Sequence, residues 1–324
     1  LKAAFFGGSL SFLQLCAVAL SICMFPIAFH PVFKYPVPEG HRFPMDKYEL
    51  LPLQLLREGI AEESDFFSPE PIDMPPVYAV HERAYADRFM AGTLSRQEIR
   101  RIGFEQTPLL VERELRIARG TVDGALKAFE TGIAFNIAGG THHASRDAGE
   151  GFCMINDHAV AAQYLVDHGK ASQVLIVDLD VHQGNGTADI FTGEPRVFTF
   201  SMHAKNNYPF RKKQSDLDVE LADRTDDSTY LKLLADTLPG LIDRVKPDFI
   251  FYQAGVDILA TDKLGRLSCT ISGCRQRDEM VFQTAKEHGI PVQCSMGGGY
   301  SPHIKTIIDA HANTYRVARQ VFCF

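Results

Sequence analysis

From residue 133 onward the chain keeps one rhythm, in which short apolar runs alternate with longer amphipathic ones. Strand-like runs at 133–138, 174–179, 197–202, 249–253 and 291–295 are separated by helix-like runs at about 157–168, 228–244, 273–288 and 302–319. That alternation predicts βαβ units, hence an α/β fold whose parallel sheet is covered by helices on both faces. Upstream, helices are expected from about Asp46 to Glu58, over Ser95 to Ile102 with Ser95 and Glu98 as a capping box, and from about Pro108 to Thr131. Val77 to His81 reads as a short strand followed by a helix to Phe89. No repeat or linker-like stretch follows residue 30, so 27–324 is expected to form one domain, although length alone would allow two at about 150 residues each.

The central run, Val174 to Thr187, reads Val-Leu-Ile-Val-Asp178-Leu-Asp180-Val-His182-Gln-Gly184-Asn185-Gly186-Thr. Four apolar residues pass directly into ligand-type residues at alternate positions, as in a buried strand that delivers side chains to a site at its carboxyl end. Asp178, Asp180 and His182 share one parity, so an ideal strand would aim all three to one face, and Gly-Asn-Gly would turn the chain tightly away. A carboxylate and an imidazole two residues apart could grip one divalent metal.

Ligands of open parallel sheets bind beyond the carboxyl ends of the strands. The other strand ends are then informative. They carry Gly139-Gly140-Thr141-His142-His143, Ser201-Met202-His203, Ala254-Gly255-Val256-Asp257 and Ser295-Met296-Gly297-Gly298-Gly299-Tyr300. Asp180, His182 and Asp257 make a three-ligand set of the kind a catalytic zinc uses, with a fourth position open. Such a metal lowers the pKa of bound water to about 7, and a base must still take its proton. The pair His142-His143 could supply that base and a proton shuttle. Asp178, embedded in apolar sequence, needs a partner, and a histidine at the same edge would fit. The Tyr300 hydroxyl could hydrogen-bond a substrate carbonyl opposite the metal.

Bulk composition narrows the classes. With 33 basic and 40 acidic residues the formal charge is −7, and no basic stripe marks a nucleic-acid partner. A mildly acidic surface would favour the approach of a cationic tail. The seven cysteines are scattered without a Cys-x-x-Cys pair, which argues against a disulfide framework and a cysteine-rich zinc site and for a reducing compartment, such as the cytoplasm. Residues 3 to 29 carry no charge. The stretch 1–26 reads as an apolar extension, with three readings open: a membrane anchor or export signal within 3–25, a mispredicted start, or a packed extra helix. Ile27 to Phe29 would be the first strand.

Taken together, Thr141-His142-His143, Gly151-Phe152-Cys153-Met-Ile-Asn156-Asp157, the run Asp178 to Thr187, Gly255-Val-Asp257 and Gly297-Gly-Gly-Tyr300 resemble the zinc-dependent histone deacetylase family. Phe29-His30-Pro-Val-Phe-Lys-Tyr, Glu39-Gly-His41-Arg-Phe-Pro-Met and Asp262-Lys-Leu-Gly-Arg266 look most like its class IV branch and bacterial relatives. The resemblance covers about 27–320. It implies an arginase/deacetylase fold and hydrolysis of an acyl-lysine amide in a protein or peptide, with acetylated small amines such as polyamines, or long-chain acyl groups, as further possibilities. A scaffold that binds metal without catalysis is the contrasting reading. Asp180, His182 and Asp257 fall on zinc ligands, His143 on the general base and acid, His142 on its electrostatic partner supported by Asp178, and Tyr300 on the carbonyl-polarising tyrosine. Gly151 and Phe152 match the channel for the lysine stem, with Leu264 a further wall. A potassium site is implied at Asp178, Asp180, His182, Ser201 and Met202. Where some branches have aspartate behind the second histidine, this chain has Asn185, which implies a less basic His143 and modest turnover.

Overall fold

In a computed structural model, residues 24–323 are described. The strands are β1 (Ile27–Ala28), β2 (Phe66–Phe67), β3 (Ile133–Asn136), β4 (Val174–Asp178), β5 (Val197–Ala204), β6 (Leu217–Leu221), β7 (Phe249–Gln253) and β8 (Val292–Ser295). They form one eight-stranded sheet in the order β2-β1-β3-β8-β7-β4-β5-β6. Every pairing is parallel. The helices are α1 (Lys47–Arg57), α2 (Met74–Val80), α3 (Arg83–Met90), α4 (Arg96–Ile102), α5 (Pro108–Thr131), α6 (Asp157–Asp167), α7 (Asn185–Ile190), α8 (Asp227–Val245), α9 (Ile271–Glu287) and α10 (Ile304–Cys323). They pack in two groups, α2, α5 and α6 in one, and α8, α9, α10 and α1 in the other. This is the α/β arrangement that the alternation predicts.

The central strands are apolar because both faces are covered: all five residues of β4 and of β7 are buried. The edge is different. In β6 only Leu221 is buried and Asp218 and Glu220 break the apolar pattern, so it carries little strand signal, as befits a sheet edge protected by charge. The expected strand at 77–81 is instead helix α2. Asp73 is extended at the N-cap and prolines occupy the first turn, where their missing N–H costs nothing. Val77 and Val80 are buried at a spacing of three, which shares one face of a helix and would fall on opposite faces of a strand. The tight turn expected at Gly184–Gly186 is likewise the start of α7, with Gly184 at its N-cap.

Most of the apolar extension, including the candidate anchor or signal, lies outside the described residues. Phe25, inside the stretch assigned to it, is fully buried with its ring 5.0 Å from Phe135 and 6.5 Å from Tyr315. Among the described residues no helix is long and apolar enough to cross a membrane.

One buried cation ties the helices to the loops that matter. Arg277, on α9 and fully buried, pairs with Asp278 at 2.8 Å and donates to the carbonyls of Leu179 and Gly255 at 3.3 and 2.5 Å. Asp278 also accepts from Tyr252 and Thr314 at 2.5 and 2.7 Å. The guanidinium therefore fixes the backbone just before Asp180 and Asp257. Arg277→Met would leave Asp278 buried without its countercharge and is expected to cost about 3–5 kcal/mol in a denaturant titration.

Candidate active site

Past Asp178 the backbone is no longer strand, and parity does not aim its side chains. Asp178 Oδ1 accepts the N–H of Asp180 at 3.1 Å, and Asp180 Oδ1 accepts the N–H of His182 at 3.0 Å. Each aspartate bends the chain two residues on. Two more loops are stitched to this one: Val181 N–H donates to Asp257 Oδ1 at 2.9 Å, and Gly298 N–H donates to Asp180 Oδ2 at 2.9 Å. A Cβ at Gly298 would stand 2.0 Å from Asp257 Oδ2 and 2.7 Å from Asp180 Oδ2, so only glycine allows the approach.

Asp180, His182 and Asp257 are all buried, and each places a ligand-type atom within 4.8 Å of the others. His182 Nδ1 lies 3.0 Å from Asp180 Oδ1 and 3.2 Å from Asp257 Oδ2. Asp257 Oδ2 is nevertheless poorly aligned and has no hydrogen bond, a buried carboxylate oxygen without a partner. Burial and then the nearby Asp180 carboxylate push the Asp257 carboxyl up to about 7. Burial opposes charge on His182, but Asp180 and Asp257 outweigh it and raise its pKa to about 10. The two carboxylates thus favour a positive charge between them. A divalent cation satisfies the same demand, and this donor set, with its orphaned oxygen, fits one.

Both histidines stand on the loop after β3, which Asp157 holds in place. Its Oδ1 accepts from the N–H groups of Gly140 and Thr141 at 2.8 and 2.7 Å, and Oδ2 accepts from Thr121 at 2.6 Å. Asn156 caps α6 and also donates to Ala144 O and Thr187 Oγ1 at 3.2 and 3.0 Å. His142 Nδ1 bonds Asp178 Oδ2 at 2.7 Å, and His143 Nδ1 bonds Asn185 Oδ1 at 2.7 Å. The two imidazoles titrate in opposite directions. Burial opposes charge on His142, but Asp178 and Asp180 overcome it and raise its pKa to about 9. For His143, burial first and then the His142 and His182 charges push the pKa well below 6.5.

The comparisons with known proteins agree with this geometry. Residues 41–315 match the histone deacetylase domain. The chain belongs to the histone deacetylase family. It is 44% identical over 298 residues to an uncharacterised protein of Picosynechococcus sp., covering 92% of this chain and 99% of that one. It is 31% identical over 286 residues to histone deacetylase 2 of Arabidopsis thaliana, covering 85% and 74% of the two chains. The crystal structure of the HDA15 HD domain shares the fold, with a TM-score of 0.76 at 20% identity over 91% of this chain and 95% of that one. The arginase/deacetylase fold and a deacetylase-type hydrolase acting on acetylated substrates follow from membership.

In this deacetylase an outer pocket of about 390 Å³ narrows onto the site, and Gly151, Phe152 and Leu264 all line it, as the motifs imply. His143, Gly151, Phe152, His182 and Tyr300 also line a smaller cavity of about 40 Å³ further in. Gly151 has φ 56°, and a Cβ there would meet His143 Cδ2 at 2.8 Å. Phe152 is left-handed too, at φ 70°, and its N–H is held by Ile102 O at 2.7 Å. Asp178 and Ser201 are register partners on β4 and β5, and Met202 follows, buried.

Three functional positions carry no reading from sequence. Glu150 Oε1 accepts from Asn185 Nδ2 at 2.5 Å and Oε2 accepts from Arg101 Nε at 2.8 Å, so a carboxylate stands one residue behind the asparagine. Asp262 accepts the N–H of Tyr300 at 2.6 Å with one oxygen and those of Leu264 and Gly265 at 2.8 and 2.9 Å with the other. Lys47, fully buried on α1, donates to Gly297 O at 2.9 Å and faces the Tyr300 ring at 5.7 Å. Burial lowers its pKa to about 8 while Asp257 and Asp180 work to raise it, so it keeps its charge at neutral pH. Only Asp262 had a signal, being a charged residue inside a quoted motif, whereas Glu150 stands just before the one that starts at Gly151.

The raised pKa of His142 gives a pH prediction. Its stabilising contribution is fully present below 6.5 and is lost as pH rises through about 9. Asp178→Asn removes the largest attraction. In chelator-treated protein, the stability difference between wild type and Asp178→Asn is therefore expected to be greatest below pH 6.5 and to shrink toward pH 9, as read by denaturant titrations across that range.

Proposed function

We propose that this chain is a zinc-dependent hydrolase removing acetyl groups from the side-chain amine of lysine in proteins or peptides. The observation that carries the reading is the grouping of Asp180, His182 and Asp257 beside a pocket that His143, His182 and Tyr300 line. Zinc held by those three residues would polarise the amide carbonyl and bring the pKa of water to about 7.

The remaining chemistry belongs to side chains. Tyr300 keeps its proton, because burial and then Asp180 and Asp257 push the phenol well above 10, and it donates to the carbonyl oxygen. Asn185 presents its oxygen to His143 because its amide nitrogen is committed to Glu150. Nδ1 of His143 therefore carries the hydrogen, and Nε2 is the free base. Nε2 accepts a proton from the attacking water as the C–O bond forms. It returns that proton to the lysine nitrogen as the C–N bond breaks, leaving acetate and free amine. His142, holding its hydrogen bond to Asp178, supplies positive charge beside the oxyanion. The inner cavity of about 40 Å³ has room for a methyl group and not for an extended chain, given about 10–15 Å³ of such volume per water, which supports acetyl over a long acyl group. Potassium is proposed at Asp178, Ser201 and the Met202 carbonyl, supported by their adjacency in β4 and β5.

Zinc content measured beside turnover of an acyl-lysine panel tests the reading. Stoichiometric zinc with no amide hydrolysis across the panel would sink it in favour of a scaffold. Tyr300→Phe is expected to lower kcat by about 10²–10³, the usual loss on removing one oxyanion donor, while zinc content stays constant.

Glu150 changes what Asn185→Asp should do. Alone, that substitution would set two carboxylates 2.5 Å apart in place of a hydrogen bond. Paired with Glu150→Gln it places the charge directly on His143, and the acid limb of the kcat/KM profile is expected to move to higher pH. An unmoved limb would mean that Asn185 does not set the basicity of His143.

A further inference from the structure

The outer pocket leading to the site is charged in a way the whole chain is not. Although the chain carries a formal charge of −7, Arg42, Arg101, Lys263 and Arg266 line this pocket and, among the described residues, no carboxylate does. A neighbouring depression of about 610 Å³ makes the contrast, since there Glu82, Asp147, Glu150 and Asp189 stand among the basic residues. Two of the four cations have partners pulled in from the side: Arg101 pairs with Glu150 at 2.8 Å and Arg266 with Asp223 at 3.2 Å. Arg42 and Lys263 are exposed and make no ion pair among the described residues. Arg42 lies over the ring of Phe152, its guanidinium carbon 5.0 Å from the centroid, so a free positive charge stands directly against the channel wall. Lys263 occupies the opposite loop, between Asp262, which anchors Tyr300, and Leu264 of the channel. Phe210, 85% exposed, adds a large apolar face to the same rim.

A lysine side chain threaded into the channel leaves its own backbone at this rim, and its sequence neighbours, about 3.3 Å per residue away along an extended chain, fall among these cations. Cationic neighbours would meet like charge, and anionic ones would find two unpaired partners. Resting on the acyl-lysine reading above, we infer that the preferred substrates are acyl-lysine peptides with aspartate or glutamate flanking the modified lysine, bound through Arg42 and Lys263. This reverses the expectation from net charge that a cationic tail is favoured. It also disfavours acetylated polyamines, whose free amines would sit at the rim.

The test compares kcat/KM of the zinc-loaded enzyme on acetyl-lysine peptides identical except for acidic, neutral or basic flanks, with an acetylated polyamine alongside. Acidic flanks are expected to win over neutral ones by roughly fivefold per well-placed carboxylate, and basic flanks to lose by a similar factor. The spread should shrink as salt rises from about 0.02 to 0.5 M, because the contacts are exposed. The Arg42→Glu/Lys263→Glu variant should invert the acidic-to-basic ratio, a ratio that does not depend on how much of the preparation is folded. Equal rates on all flanks, a preference for basic flanks or the polyamine, or an acidic preference that survives the double reversal would each overturn the inference while leaving the acyl-lysine reading in place. No turnover of any peptide, the neutral one included, would remove that reading and this inference with it.

Discussion

Two carboxylates buried within reach of one imidazole set the terms for everything around them. Asp180 and Asp257 cannot both be ionised in a dry site without a cation between them, and the surroundings show the strain of that demand: the Asp257 carboxyl is pushed up, the His182 imidazole is pulled to the charged form, and one carboxylate oxygen lacks a hydrogen bond. The fold bears the cost by fixing backbone rather than by adding further charge at the ligands. Arg277 grips the carbonyls before each aspartate, and amides of Val181 and Gly298 fill oxygens that would otherwise compete for the ion. The pair is thus held in a geometry it would not choose for itself. A divalent cation bound there would relieve what folding imposes.

The same logic explains why the glycine loop after β8 is more than a flexible link. Gly298 must lack a side chain to lie against both aspartates, Gly297 offers its carbonyl to buried Lys47, and Tyr300 is hung from Asp262 through its backbone N–H. Lys47 adds a third positive group to the neighbourhood of the carboxylates without touching them. Burial works against its charge and the nearby Asp257 and Asp180 work for it, so the two carboxylates support the lysine as the lysine supports the loop. Asp262 joins two jobs in one side chain, since one oxygen holds the N–H of Tyr300 and the other those of Leu264 and Gly265 in the pocket wall.

The sheet and its helices were legible because central parallel strands are continuous apolar runs, and β4 and β7 could hardly be anything else. Legibility failed where local sequence serves two structures equally. The apolar run from Val77 reads as a short strand, but Val77 and Val80, three apart, share a face only in a helix, and the prolines after Asp73 start one. β6 has the charged character of an edge and so no apolar signal. At the site, the residue types that ligate or titrate announced themselves at strand ends. Their supports did not. Lys47, Arg277 and Glu150 are ordinary charged residues in sequence, distant from the motifs or silent within them, and acquire meaning only when the fold buries them beside particular partners. The parity reading of Asp178, Asp180 and His182 named the right neighbours by the wrong geometry, since the chain leaves the strand at Asp178 and each aspartate then turns it.

Asn185 illustrates how far a single departure from a familiar pattern can mislead when read alone. An asparagine behind His143 suggests an imidazole without a carboxylate, but Glu150 takes the asparagine's amide and hands its other oxygen to Arg101 at the pocket rim. The negative charge has been moved outward by one residue rather than deleted. An amide between a carboxylate and an imidazole passes on orientation fully and charge only in part, so the tautomer of His143 is fixed while its basicity stays low. The pKa of His143 accordingly lies below those of His142 and His182. Because Arg101 lines the same rim as the unpaired Arg42 and Lys263, one hydrogen-bonded chain runs from that rim through Glu150 and Asn185 to Nδ1 of His143. An anion at the rim that drew Arg101 away from Glu150 would leave that carboxylate freer to act on Asn185. Charge at the rim and the basicity of His143 are thus linked through three side chains, Arg101, Glu150 and Asn185.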